Sequence, residues 1–146
     1  MRKTIVPISK ECRKCEVIKP ISHFYKHSQM LDGHLNICKE CTLKRVQKYS
    51  RTKKGLVNTI YGHQKHSSKS RGHQSPAYTK KTLKEWLYSQ RLFHELYESW
   101  VASGYDKWLT PSIDRIDSKI YYCLTNIQVM TWKENDIKGY SEKRGL

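Results

Sequence analysis

Residues 12–41 read CRKCEVIKPISHFYKHSQMLDGHLNICKEC, and this stretch decides the fold of the N-terminal part of the chain. Two cysteine pairs, Cys12/Cys15 and Cys38/Cys41, each enclose two residues and are separated by 22 residues. Each pair can hold two thiolates on one side of a tight turn, and two pairs complete a tetrahedral sulfur shell of the kind that Zn²⁺ prefers. Because protein atoms fill all four positions, we predict a structural zinc ion rather than a catalytic one.

The sequence favours other ligands or other kinds of site in residues 12–41 less strongly than a four-cysteine zinc site. His23, His27 and His34 lie between the cysteine pairs and offer imidazole ligands, but the symmetry of the two pairs favours four cysteines. A disulfide framework or an iron–sulfur site is less favoured, because thiols stay reduced in the cytosol. Cys123 stands apart from the pairs, and we predict a buried or half-buried free thiol there.

A strongly basic segment surrounds and follows the cysteines. From residue 39 to about residue 54, Leu43, Val46 and Tyr49 recur every three positions, which predicts a helix with a cationic face. Cations on a rigid scaffold suit contact with the phosphate backbone of DNA. The residues predicted to make these contacts are Arg13, Lys14, Lys44, Arg45, Lys48, Arg51, Lys53 and Lys54.

The formal net charge of +15 is unevenly distributed. Residues 1–73 carry 17 basic and 4 acidic side chains, whereas residues 74–146 carry 11 and 9. The positive side chains of residues 1–73 repel one another unless a polyanion neutralises them, so we expect a nucleic-acid partner. No apolar run approaches the roughly 20 residues of a membrane span, and the charged N-terminus lacks an apolar stretch of signal-peptide length. We therefore predict a cytoplasmic protein without membrane contact.

The middle of the chain is predicted to be largely helical. Leu56 to Tyr61 suits a short helix, and residues 62–78, rich in Gly, His, Ser and Lys, suit a loop. Thr82 and Glu85 form a capping-box pattern at the start of a helix over about 82–90. The following helix carries an apolar stripe of Phe93, Leu96, Tyr97, Trp100 and Val101.

The C-terminal region has the order strand, strand, helix. Segments 112–117 and 127–131 are rich in residues that favour strands, and a polar segment separates them, which predicts a β-hairpin. Thr131 and Glu134 form a second capping-box pattern, so we expect a helix to begin there and to run through about Lys138.

These C-terminal residues resemble the ββα-metal motif of phage-type HNH endonucleases. The resemblance rests on segments 111–117, 121–122, 126–127 and 131–135, and residues 12–41 are similar to the zinc modules that precede this motif in phage and homing enzymes. Together these stretches cover a little under half of the chain.

The resemblance implies roles for three residues around a catalytic Mg²⁺ or Mn²⁺ ion. Asp114 is the implied carboxylate ligand, and Asn135 is the implied ligand from the helix. Asn126 is the hairpin asparagine that braces the loop and helps to position the catalytic base. Such an ion neutralises charge on the scissile phosphate and on the leaving 3′ oxygen while a base activates water.

The sequence departs from the family at the position of the base. Arg115 stands where the family has a histidine, and an arginine does not accept a proton from water. Arg115 is then expected to clamp phosphate and to stabilise developing charge. The base could be Asp117 or a metal-bound hydroxide, or the protein could bind DNA without cutting it. It could also be a distant histidine, and the candidates are His63, His66, His73 and His94.

We therefore predict an α+β protein with a four-cysteine zinc module and basic helix over 1–54, a helical middle over 55–108, and an HNH-like ββα-metal unit over 109–146. The predicted function is metal-dependent hydrolysis of phosphodiester bonds in double-stranded DNA, and the resemblance implies the host bacterial cytoplasm during phage infection. One alternative is a non-catalytic zinc-containing DNA-binding or regulatory protein. Another is an RNA-binding zinc protein, because tyrosines stack on unpaired bases.

Overall fold

Helices and small antiparallel sheets alternate along the computed structural model, which describes residues 5–145. This confirms the predicted α+β class. The chain divides into two units, Met1–Tyr49 and Ser50–Leu146. The predicted segments 55–108 and 109–146 therefore lie in one unit, because their apolar side chains share a core. Between residues 5 and 145, no helix has the length and apolar composition needed to cross a bilayer.

The first unit contains two short antiparallel hairpins followed by a helix. Its elements are β1 (Ser9–Glu11), β2 (Ile18–Pro20), β3 (Phe24–Lys26), β4 (His34–Cys38) and α1 (Lys39–Ser50). Strand β1 pairs with β2, and β3 pairs with β4. The helix ends at Ser50 rather than near Lys54, because the chain turns there before a new helix begins.

The apolar core of the first unit is very small. Its buried members are Cys12, Phe24 and Cys38, with Ile37 and Cys41 packed against them. Helix α1 has no buried residue. A core of this size supplies little apolar burial, and small domains of this kind are usually stabilised by a metal ion or by disulfides.

The second unit begins with a helix that is longer than the sequence pattern suggested. Helix α2 spans Lys53–Ser70, and the Thr52 side chain caps it by accepting a hydrogen bond from the Gly55 amide. The predicted loop over 62–78 is thus wrong in its first half. The buried side of the helix explains the extension, since it continues from Leu56 to Gln64 and Ser68.

Two further helices pack into this unit, α3 (Lys80–Ser89) and α4 (Arg91–Ala102). Thr79 caps α3 by accepting a hydrogen bond from the Thr82 amide at 3.1 Å, so the prediction that Thr82 starts this helix is wrong. The apolar stripe of α4 contributes Phe93 and Trp100 to the core, whereas Val101 is exposed.

The C-terminal hairpin and helix form as predicted. Strand β5 (Pro111–Arg115) pairs antiparallel with β6 (Ile127–Thr131), and α5 (Trp132–Arg144) follows, extending beyond the predicted end. Thr131 and Glu134 make both hydrogen bonds of the capping box. Side chains alternate along β5, so Ile113 and Arg115 are buried while Ser112 and Asp114 lie on the opposite, half-buried side.

Candidate functional site

The four cysteines converge on one point in the first unit. Their Sγ atoms all lie within 4.8 Å of one another, and the Sγ atoms of Cys15 and Cys38 are 4.0 Å apart. A tetrahedral site with metal–sulfur bonds of about 2.3 Å separates its sulfurs by roughly 3.8 Å. The cluster is therefore positioned to bind a metal ion. Within residues 5–145 it is the one group of three or more His, Cys, Asp and Glu side chains so placed, and the loop histidines do not belong to it.

Backbone amides in the two knuckles point at the sulfurs. The amides of Lys14 and Cys38 donate to the Sγ atom of Cys12 at 3.4 and 3.3 Å. The first knuckle turns at Glu16, which has a positive φ of 60°, and the Cys12 amide closes it on the Val17 carbonyl at 3.1 Å. These amide donors favour thiolate over thiol, which is the form that binds metal.

The pKa values of the cysteine thiols indicate that a cation would stabilise the ionised cluster. Burial opposes ionisation of Cys12, but the amides of Cys38, Cys15 and Lys14 outweigh it and lower the pKa of its thiol to about 6. The Cys41 amide lowers the pKa of Cys38 against the effect of burial. Burial and the neighbouring cysteines raise the pKa of Cys41 to about 12. Full ionisation of four adjacent thiols is therefore unfavourable until a divalent cation offsets their repulsion.

Lys19 is one of the basic residues around the cysteines in the sequence, and its contact with the cluster was not predicted. Its Nζ atom lies 3.4 Å from the Cys38 Sγ atom and 3.1 Å from the Glu40 carboxylate. Glu40 also accepts from Lys44 at 2.9 Å. The hydrogen bond to Glu40, followed by that to Cys38, raises the pKa of Lys19. Lys19 thus keeps a positive charge next to the sulfurs.

The predicted DNA-contacting cations are distributed over both units. Two of them are engaged inside the second unit. The Arg51 guanidinium lies 4.2 Å from the centre of the Tyr105 ring, and Lys53 lies over Tyr97 with its Nζ atom 2.8 Å from Nδ1 of His94. The exposed members are Arg13, Lys14, Lys44, Arg45, Lys48 and Lys54.

Asp114 and Asn135 lie on the same side of the C-terminal hairpin and helix. The Asn135 Nδ2 atom donates to the Ser112 hydroxyl at 3.0 Å, and Ser112 shares its side of β5 with Asp114. Both residues line one cavity of about 780 Å³ in the second unit. The structure therefore brings together the two residues that the resemblance implies as ligands.

Lys138 contacts the Asp114 carboxylate and was missed in the sequence. Its Nζ atom donates to the Asp114 carboxylate and to the Arg115 carbonyl, and it lies 3.4 Å from the Ile116 carbonyl. It follows Asn135 by three residues and so shares its side of α5. The spacing alone could have placed Lys138 near Asn135, but it does not show that the hairpin carbonyls meet there.

Asn126 braces the segment between the two strands. Its side chain is buried, and its Oδ1 atom accepts from the Asp117 amide at 2.8 Å. The Nδ2 atom donates to the Asp117 and Tyr121 carbonyls at 3.0 and 3.2 Å. The Asp117 carboxylate in turn accepts from the Lys119 amide at 2.9 Å. Asn126 therefore fixes the loop that leaves the strand bearing Asp114.

Arg115, the last residue of β5, is buried against this loop and is not a free cation. Its side chain is 5% exposed, donates to the Ile120 carbonyl at 3.3 Å and lies over the Tyr122 ring. Asp114 is paired with Lys138 instead of Arg115. The expected phosphate clamp would require this guanidinium to leave its carbonyl partner.

Positive side chains and two of the candidate histidines complete the cavity. Arg71, Lys107 and Lys143 line it, as do His63 and His66. The other two histidines proposed from the sequence do not line it. The carboxylates of Asp136 and Glu142 line it as well, so the cavity combines three carboxylates and the Asn135 amide with cations and imidazoles.

Comparisons of this chain with known protein families, with curated proteins and with solved structures found no match. Its function is proposed from the residues and their geometry.

Proposed function

We propose that this protein is a metal-dependent endonuclease that hydrolyses phosphodiester bonds in duplex DNA and carries structural zinc in its cysteine cluster. One observation supports the catalytic part most directly: Asp114 and Asn135 line the same cavity, and the Asp114 carboxylate already accepts a hydrogen bond from a cation, the Lys138 ammonium. Oxygen donors of this kind suit Mg²⁺ or Mn²⁺, whereas four thiolates suit Zn²⁺.

The residues around the cavity fit this chemistry. Asp114 and Asn135 would hold the divalent ion, which when bound supplies positive charge to the scissile phosphate and the leaving oxygen. Because Asn135 donates through Nδ2 to Ser112, its Oδ1 atom is turned to a different direction and is the atom offered to a cation. Asn126 keeps the end of β5 in place, and Arg71 and Lys107 attract the phosphate backbone.

Nicking of a supercoiled plasmid with and without Mg²⁺ tests this proposal. We expect cutting only with the ion present. The main alternative, a non-catalytic DNA-binding protein, is favoured by one specific observation: the Asp114 carboxylate is already neutralised by Lys138. That alternative predicts tight binding of the plasmid and no cutting at any concentration of Mg²⁺ or Mn²⁺.

The exposed cations of α1 are expected to contact the DNA backbone. Replacing Lys44, Arg45 and Lys48 together by glutamine should weaken duplex binding about 10- to 100-fold near physiological salt, because each lost phosphate contact reduces counterion release. The slope of log affinity against log salt should become shallower by about two to three for the same reason. Fluorescence anisotropy over a salt series measures both quantities.

A control variant removes the same charge elsewhere. Lys80, Lys81 and Lys133 are exposed and lie outside the predicted set. Changing these three to glutamine should leave the salt slope close to that of the wild type. Equal losses in the two triple variants would mean that binding depends on net charge alone, and that α1 makes no particular contact.

Lys138 is expected to compete with the divalent ion for Asp114. Lys138→Met should tighten Mn²⁺ binding about tenfold, because unit charges about 4 Å apart repel by roughly 4 kcal/mol at an intermediate dielectric and solvent screens part of this. Titration followed by electron paramagnetic resonance of free Mn²⁺ measures the affinity. Lys133→Met is the control, since Lys133 is exposed on the same helix. Unchanged or weaker Mn²⁺ binding in Lys138→Met would show that the ion does not replace the ammonium.

A further inference from the structure

One side of helix α2 lines the cavity, which residues of the C-terminal hairpin and of α5 also line. The residues of α2 that line the cavity recur every three or four positions, as Leu56, Ile60, His63 and Ser67 do. This spacing places side chains on one side of a helix. His66 also lines the cavity, three residues after His63. The same cavity therefore contains two imidazoles, Asp114 and Asn135.

The remaining candidate histidines are placed differently. His94 has both ring nitrogens engaged, since Nδ1 lies 2.8 Å from the Lys53 Nζ atom and Nε2 lies 2.8 Å from the Tyr88 carbonyl oxygen. His73 follows the end of α2, and it is not among the residues that line the cavity. His63 and His66 are exposed, so water has access to both.

Gln64, between these histidines in sequence, gives a second indication that the cavity takes a ligand. Its side chain is 2% exposed and lines the cavity. The Tyr78 hydroxyl donates to the Gln64 Oε1 atom at 2.7 Å, which fixes the amide. The Nε2 atom of Gln64 is buried and has no hydrogen-bond partner among residues 5–145. An unpaired buried donor is unfavourable, and an oxygen of a bound phosphate group would accept from it.

We infer that α2 supplies the proton acceptor of the reaction, through His63 or His66, in place of the strand residue Arg115. This inference rests on the proposed endonuclease function. Neutral imidazole accepts a proton near neutral pH, whereas guanidinium does not. The attacking water transfers its proton to an imidazole nitrogen while its oxygen bonds to phosphorus. The bond from phosphorus to the 3′ oxygen breaks, and that oxygen leaves with the electron pair and takes a proton from solvent.

Nicking rates of alanine variants of the full-length protein test the inference. His63→Ala combined with His66→Ala should lower the Mg²⁺-dependent rate about 100-fold or more, the usual contribution of general-base catalysis. The single variant with the greater loss identifies the acceptor. Free imidazole in the buffer should restore part of the lost rate, which a structural role would not allow. His73→Ala should retain the wild-type rate.

Other results of these nicking assays would contradict the inference alone, or the proposed function as well. If the double variant stays within about threefold of the wild-type rate while Asp114→Ala loses cutting, the inference is wrong and the endonuclease proposal stands. A loss that imidazole does not restore, with Mn²⁺ binding and helix content unchanged, also overturns it. If the wild-type protein shows no metal-dependent nicking, both the function and the inference fail. Alanine favours helix, so the folding of α2 is preserved in all variants.

Discussion

Cys38→Ser will release the metal ion from the first unit and unfold that unit. Cys38 contributes both a ligand and one of the three buried side chains of a very small core. Structural zinc sites contribute about 10–16 kcal/mol of apparent binding free energy, far more than this core can supply. Metal content measured by atomic emission should fall from one equivalent of zinc to none. The amide signals of residues 9–49 should collapse to the narrow range of an unfolded chain.

The fifth cysteine provides the matched control. Cys123 is half-buried, its Sγ atom lies 3.4 Å from the Thr125 hydroxyl, and it is not part of the cluster. Cys123→Ser should keep one zinc per chain and the dispersed amide spectrum of the first unit. A folded first unit in Cys38→Ser after removal of all metal by chelation would show that the ion does not hold this unit together.

Asp114→Ala is the substitution with the largest expected effect on activity. It removes the carboxylate to which the Lys138 ammonium donates and, in the proposed site, leaves Asn135 without its partner ligand. Loss of one electrostatic contact to a transition state costs about 100- to 1000-fold, so nicking should fall by at least that factor. Single-turnover nicking at saturating Mg²⁺ measures the rate, and Mn²⁺ titration should show weaker binding.

Glu98→Gln serves as the control for this loss of a carboxylate. Glu98 is exposed on α4 and does not line the cavity, so the rate and the Mn²⁺ affinity should match the wild type. Retention of full nicking by Asp114→Ala would remove this residue from the proposed chemistry. It would leave the metal-binding cysteine cluster unaffected, because that cluster lies in the other unit.

Local patterns in the sequence predicted the structure correctly where a single local rule determines it. The spacing of the cysteines led to the cluster, and the pairing of Thr131 with Glu134 led to the start of α5. The alternation in β5 led to the hairpin. The two residues of the capping box lie within a few positions of one another, and sulfur chemistry leaves few other uses for two cysteine pairs.

The sequence was insufficient where tertiary contacts override local preference. Residues 62–70 contain glycine, histidine and serine, which favour helix weakly, yet burial of Gln64 and Ser68 keeps α2 helical to its end. The cap of α3 is Thr79 and not the predicted Thr82, because either of two threonines three residues apart can cap the helix. The position of Lys138 depends on carbonyls of a strand more than 20 residues away, a contact that no local pattern reveals.

The Lys138 ammonium is a covalently attached counter-ion for Asp114, so the carboxylate has a positive partner even without magnesium. We therefore expect the second unit to fold without a divalent ion and the first unit to need one. Chelators of graded strength should separate the two dependences. A magnesium-selective chelator should stop nicking while both units stay folded. A chelator strong enough to remove thiolate-bound zinc should also unfold the first unit.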